Sequence, residues 1–143
     1  MKKFIVAILA LVMLLSVTAI ASAAESTFAI YGVPCQALAD DELYQHHGED
    51  YIVKGNDTDR QVQIKHRVTQ SSADMNNRIA VYCKETRKTM AAGWKPANGS
   101  YYPHSSNAIR SNKSYTGAGR GNTDYVTDYD LTSITITGSI KGN

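Results

Sequence analysis

Four sets of residues in this 143-residue chain have types and spacings that bear on chemistry. The first is basic. Lys65, Arg67, Arg78, Lys84, Arg87, Lys88 and Lys95 crowd the middle of the chain. Residues 60–120 hold eleven bases and two acids, whereas residues 24–59 hold eight acids and one base. A sheet face carrying these bases suits polyanions, such as phosphate-rich wall polymers or lipid headgroups. The competing arrangement is internal, with the acidic front segment packed across the basic sheet. Salt separates the two, because exposed charges are screened and buried pairs much less so.

The second set is aromatic. Trp94, Tyr101 and Tyr102 flank an Asn98-Gly99 pair. Rings beside a turn can stack on sugars or sit at a membrane surface, and they also pack sheets. Tyr101 and Tyr102 are consecutive, so on a strand one of them points outward, while Trp94 is expected in the core. Lys65, Arg67, Lys84, Tyr101 and Tyr102 are therefore the candidate ligand-binding residues.

The third set is imidazole and carboxylate. His46 and His47 lie beside Asp40, Asp41, Glu42, Glu49 and Asp50. Adjacent histidines diverge on a helix, whereas two metal ligands on one helical face need i, i+4 spacing, so no metal site is expected. Asn56–Asp59 and Asp124–Asp130 cluster oxygen donors, but neither fits the calcium loop with its central glycine and terminal glutamate. His66 falls on the apolar side of an alternating segment. Catalysis by it would need a nucleophile and an orienting acid within reach, and no G-x-S-x-G setting is present.

The fourth set is the cysteine pair, Cys35 and Cys83. An even count in an exported chain favours a bridge over two unpaired buried thiols. A bridge closing the 49-residue loop would stabilise the fold by about 4 kcal/mol on the chain-entropy model. The support is needed, since Leu, Ile, Val and Phe supply only 18 of the 120 residues from 24 onward.

Export itself is read from the first 23 residues. Met1-Lys2-Lys3 opens positively, Phe4 to Ile20 is almost unbroken apolar sequence, and Ala21-Ser22-Ala23 offers a small-x-small cleavage site. Removing it takes two of the fifteen bases and no acid, leaving a neutral domain over 24–143. A neutral single domain of this size argues against a basic nucleic-acid binder, a multi-domain enzyme and an integral membrane protein.

The elements that must position these groups are mostly strands. Residues 26–33 alternate moderately. Arg60 to Val68 alternates strictly, with Val62, Ile64, His66 and Val68 on one side and Gln61, Gln63, Lys65 and Arg67 on the other. Arg78 to Glu85 places Ile79, Val81 and Cys83 together. Thr89 to Trp94 and Ser100 to His104 read as a hairpin around Asn98-Gly99. Leu131 to Ile140 closes the chain, residues 105–123 show weak strands at best, and 36–47 is the one plausible helix. The pattern predicts an all-β fold, a small antiparallel β-sandwich or compact barrel with one short N-terminal helix.

The stretch Ser100-Tyr-Tyr-Pro-His-Ser-Ser106 resembles the Tyr-Tyr-His-Ser stretches of the lactococcin 972-like bacteriocins. That resemblance implies a small secreted β-sandwich protein acting on Gram-positive cell-wall synthesis. It covers under a quarter of residues 24–143, lies far from the mature start, where that family carries its motif, and leaves the cysteine pair and acidic segment unmatched.

These readings lead to a secreted, extracellular, non-enzymatic module that binds a cell-surface polymer or a protein partner. The alternatives are a secreted antimicrobial, bacteriocin-like protein and a small hydrolase using His66. No cofactor, metal, nucleic-acid partner or membrane span after cleavage is expected.

Overall fold

A computed structural model describes residues 24–34, 45–69, 76–120 and 133–142. The strands are β1 (Glu25–Pro34), β2 (Ile52–Val53), β3 (Gln61–Val68), β4 (Asn76–Cys83), β5 (Lys88–Pro96), β6 (Tyr102–Ser105), β7 (Ser114–Arg120) and β8 (Ser133–Gly142). They form two four-stranded antiparallel sheets, ordered β1-β8-β3-β6 and β2-β7-β4-β5. The sheets do not close into a barrel. The expected helix over 36–47 lies mostly outside the described residues. At its far end His47 bridges to Ala118 on the edge of β7 instead.

β3 behaves as its alternation dictates. Val62, Ile64, His66 and Val68 are buried between the sheets, and Arg67 is exposed. From the facing sheet, Ile79, Val81 and Cys83 enter the same core, joined by Ile134, Ile136 and Ile140 of β8. β4 is also covered on its other side, where Ala80 and Tyr82 pack with Ala118. Phe28 fills the space between the sheets. Its ring would stand 2.4 Å from a Cβ at Gly117 and 2.6 Å from one at Gly138, so both positions must lack a side chain.

Four sequence readings change. First, residues 114–120 form a central strand rather than a weak one, and Tyr115 through Gly119 are all buried. Its Gly117 and Gly119 give their space to Phe28, Ile79 and Ile136 from other strands, which removes the hydrophobic signature. Second, Asn98-Gly99 is not a hairpin. β5 pairs with β4 and β6 pairs with β3, so residues 97–101 cross from one sheet to the other. Third, Trp94 is 46% exposed. It lies opposite Arg78 in the β4–β5 register, and the Arg120 guanidinium sits 5.4 Å from its ring centre. Fourth, the Cys35–Cys83 bridge is not formed. Cys83 is a buried free thiol donating to Glu85 Oε2 at 3.3 Å, and Cys35 lies outside the described residues. Glu85 is locally committed as well. Desolvation opposes its ionisation, but the Ser114 N–H at 3.0 Å and further bonds hold it down at about 2.

Candidate functional site

The register of β1, β8 and β3 builds the site. Three residue rows cross these strands: Thr27–Ser139–Lys65, Phe28–Gly138–His66 and Ala29–Thr137–Arg67. The middle row faces the core, as the burial of Phe28 and His66 shows, so the outer two face away from it. These outward rows, with Asp50 and Gly99 and with the Phe28–Gly138–His66 row beneath them, line an open cleft of about 550 Å³. Two cations and three hydroxyl groups thus share one concave face.

Arg67 is placed by the crossing segment. Gly99 donates its N–H to the His66 carbonyl at 3.0 Å, which ties residues 97–101 alongside β3. Gly99 has a φ of 75°, and a Cβ there would stand 2.7 Å from Arg67 Nε. The glycine meets both demands: it accepts the left-handed backbone and leaves room for the guanidinium.

Lys65 is placed by the rim. Tyr101 Oη donates to Glu25 Oε1 at 2.5 Å, and Lys65 Nζ lies 3.7 Å from the same oxygen. Lys65 and Lys141 stand 4.7 and 4.1 Å from the Tyr101 ring centre. The Tyr101 hydrogen bond, aided by both ammonium groups, holds Glu25 below the usual carboxylate range. Partial desolvation, then the Glu25 hydrogen bond, raises the phenol of Tyr101.

The other candidates lie elsewhere. Lys84 sits in the turn after β4, in the other sheet, 5.1 Å from the Tyr51 ring centre. Tyr102 accepts from Asn98 Nδ2 at 2.9 Å, and its ring lies 5.8 Å from Lys95 Nζ. The two tyrosines therefore do part company, and only Tyr101 joins Lys65 and Arg67. The seven bases form no single face, because β3 and β4 belong to different sheets. Of the described acids in 45–59, Asp50 lines the cleft. Asp57 accepts from Ser111 instead, and Asp59 pairs with the buried Lys54 at 2.6 Å.

His66 lies on the opposite side of β3. It is buried, with Nε2 3.4 Å from Asn77 Nδ2, and burial lowers its pKa to about 4. No serine or carboxylate bonds to it among the described residues. His47 stacks on Tyr82 with ring centres 3.8 Å apart. No group of three or more His, Cys, Asp or Glu side chains could hold a metal among the described residues. Asn56 Oδ1 caps its own turn through Thr58, and the run 124–130 lies outside the described residues.

Sequence reasoning missed Glu25 beside Lys65, Gly99 beside Arg67, and Thr27, Asp50, Thr137 and Ser139 in the lining of the same cleft. The polar phases of β1 and β8 carried part of that signal, since Thr27, Thr137 and Ser139 alternate with core residues. The strand order that brings them beside Lys65 did not show in the chain. No protein-family model, curated protein or solved structure matches this chain.

Proposed function

We propose that this chain is an exported, non-enzymatic binding module that holds an anionic surface ligand in the cleft over β1, β8 and β3. The observation that carries the reading is the convergence of Lys65 and Arg67 on a hydroxyl-lined depression, each held there by a specific neighbour. Cationic side chains with adjacent hydroxyls provide charge-assisted hydrogen bonds to phosphate, sulfate or carboxylate. The apolar leader and its small-x-small end support export. Lys84 and Tyr102 are no part of this site.

The test is retention on bacterial cells, measured by co-sedimentation at low and high salt. The wild type should be retained at low salt and released as salt rises. Lys65→Ala/Arg67→Ala should lose retention at both, while Lys84→Ala should match the wild type. Undiminished retention of the double variant would overturn the reading.

A further inference from the structure

The spacing of the cleft's charges narrows the ligand, an inference that rests on the anion-binding reading above. Lys65 and Arg67 are two residues apart on one extended strand, which separates their Cα atoms by roughly 6.7 Å. Each has a hydroxyl-bearing residue level with it on β8: Ser139 beside Lys65 and Thr137 beside Arg67. Neighbouring strands are roughly 4.8 Å apart, so the members of each pair stand side by side, with Thr137 half-buried and Ser139 5% exposed at the cleft floor. The cleft therefore repeats a cation-plus-hydroxyl unit along β3.

That repeat selects among polyanions. A phosphodiester has two free oxygens, one for the cation and one for the hydroxyl. Successive phosphates joined by a three-carbon polyol are six bonds apart, a reach comparable to the Lys65–Arg67 step. A pyranose polymer is less suited, because the described lining offers no exposed ring to stack on. Tyr101, the nearby aromatic, is engaged by two ammonium groups and by Glu25. Asp50 lines the same cleft and disfavours a second file of anions there. The geometry points to a linear polyol-phosphate chain lying along β3, with consecutive phosphates on the Lys65–Ser139 and Arg67–Thr137 pairs.

The experiment is isothermal titration calorimetry on the protein from residue 24 onward. The probes are glycerol phosphate oligomers with one and with two phosphodiesters, a galacturonate oligomer, and phosphatidylglycerol vesicles. The two-diester oligomer should bind on the order of tenfold more tightly than the one-diester compound. Arg67→Ala and Lys65→Ala should each erase that advantage, Lys84→Ala should keep it, and unchanged thermal unfolding would show that the variants fold. Equal affinity for one and two diesters, or a galacturonate or vesicle affinity matching the two-diester oligomer, would overturn the polyol-phosphate assignment. If those affinities still fell in Arg67→Ala, the anion-binding reading would stand. Failure of every anion to bind through Lys65 and Arg67 would remove both.

Discussion

The two faces of β3 differ sharply in what they present. Outward, Lys65 and Arg67 line a cleft that also carries hydroxyl groups. Inward and between them in sequence, His66 is 1% exposed and faces the other sheet. There it meets Asn77 of β4, while His104 of β6 reaches the Ala91 carbonyl of β5 at 2.9 Å, so both contacts cross from sheet to sheet. His66 Nδ1, Asn77 Oδ1 and His104 Nε2 are buried and find no partner among the described residues. One alternating strand thus carries charge where solvent tolerates it and an imidazole where charge is forbidden. The lesson is that polarity alone does not mark a site. The cleft is reachable by a ligand, and the inner cluster is tied to folding.

The residue dividing the faces is Gly138, level with both Phe28 and His66. A Cβ there would lie 2.2 Å from the Lys65 carbonyl oxygen and 2.6 Å from the Phe28 ring. The first clash is with backbone and cannot be relieved by a rotamer change. Gly138→Ala should lose about 3 kcal/mol or more in urea unfolding. A loss below about 1 kcal/mol would mean that β3 and β8 are not this close.

The next largest effect is on pH dependence. Burial depresses His66 to about 4, and it also lowers His104, which Lys95 disfavours further in its charged form. The unfolded chain therefore binds more protons than the folded one between about pH 6.5 and 4. Stability is full above that window and falls as pH drops through it, by about 3 kcal/mol for His66 alone. Glu25 and Asp57, both depressed, lose their contributions only as pH falls below the ordinary carboxylate range. Denaturant midpoints between pH 6.5 and 5 thus isolate the histidines. A flat profile there, or an unchanged slope in His66→Gln, would contradict the buried neutral imidazole.

A smaller change separates the faces directly. Gly99→Ala meets a positive φ and the Arg67 guanidinium together. Backbone strain should cost about 1 kcal/mol. Displacement of Arg67 should also weaken anion binding severalfold, whereas His66→Gln should leave binding by the folded protein unchanged. Equal binding losses in both variants would show that the two faces are coupled.

Much of this architecture was legible where one face is wet. Strict alternation marked β3, and the isoleucines of β8 and the inward phase of β4 followed from the same period. β7 was not legible, because its glycines yield their volume to Phe28, Ile79 and Ile136 from other strands. Asn98-Gly99 signalled a turn, but local sequence did not show that its two sides join different sheets. For the same reason the basic residues read as one face but are divided between the two sheets. The outward Trp94 followed from the same gap, since only the pairing with β4 sets it level with Arg78. Tyr101 and Lys65 were recognisable as types. Glu25, 40 residues before Lys65 and 76 before Tyr101, was not recognisable as the group that joins them.

Glu25 supplies the smallest and most specific test of the outer face. Its carboxylate takes the Tyr101 hydroxyl and stands 3.7 Å from Lys65, so it competes with any incoming anion for that ammonium. Glu25 is exposed and water screens the pair, so the competition is weak. Glu25→Gln keeps an oxygen to accept from Tyr101 and removes the charge. Anion affinity at neutral pH should then rise by about two- to fivefold. Thermal unfolding should hardly move, because the fold does not depend on this contact. The gain should shrink as salt rises, and it should vanish in a Lys65→Ala background, where no ammonium is left to release. An equal gain with and without Lys65 would show that Glu25 acts only through the general field of the face. The ion pair at the rim would then have no part in ligand binding.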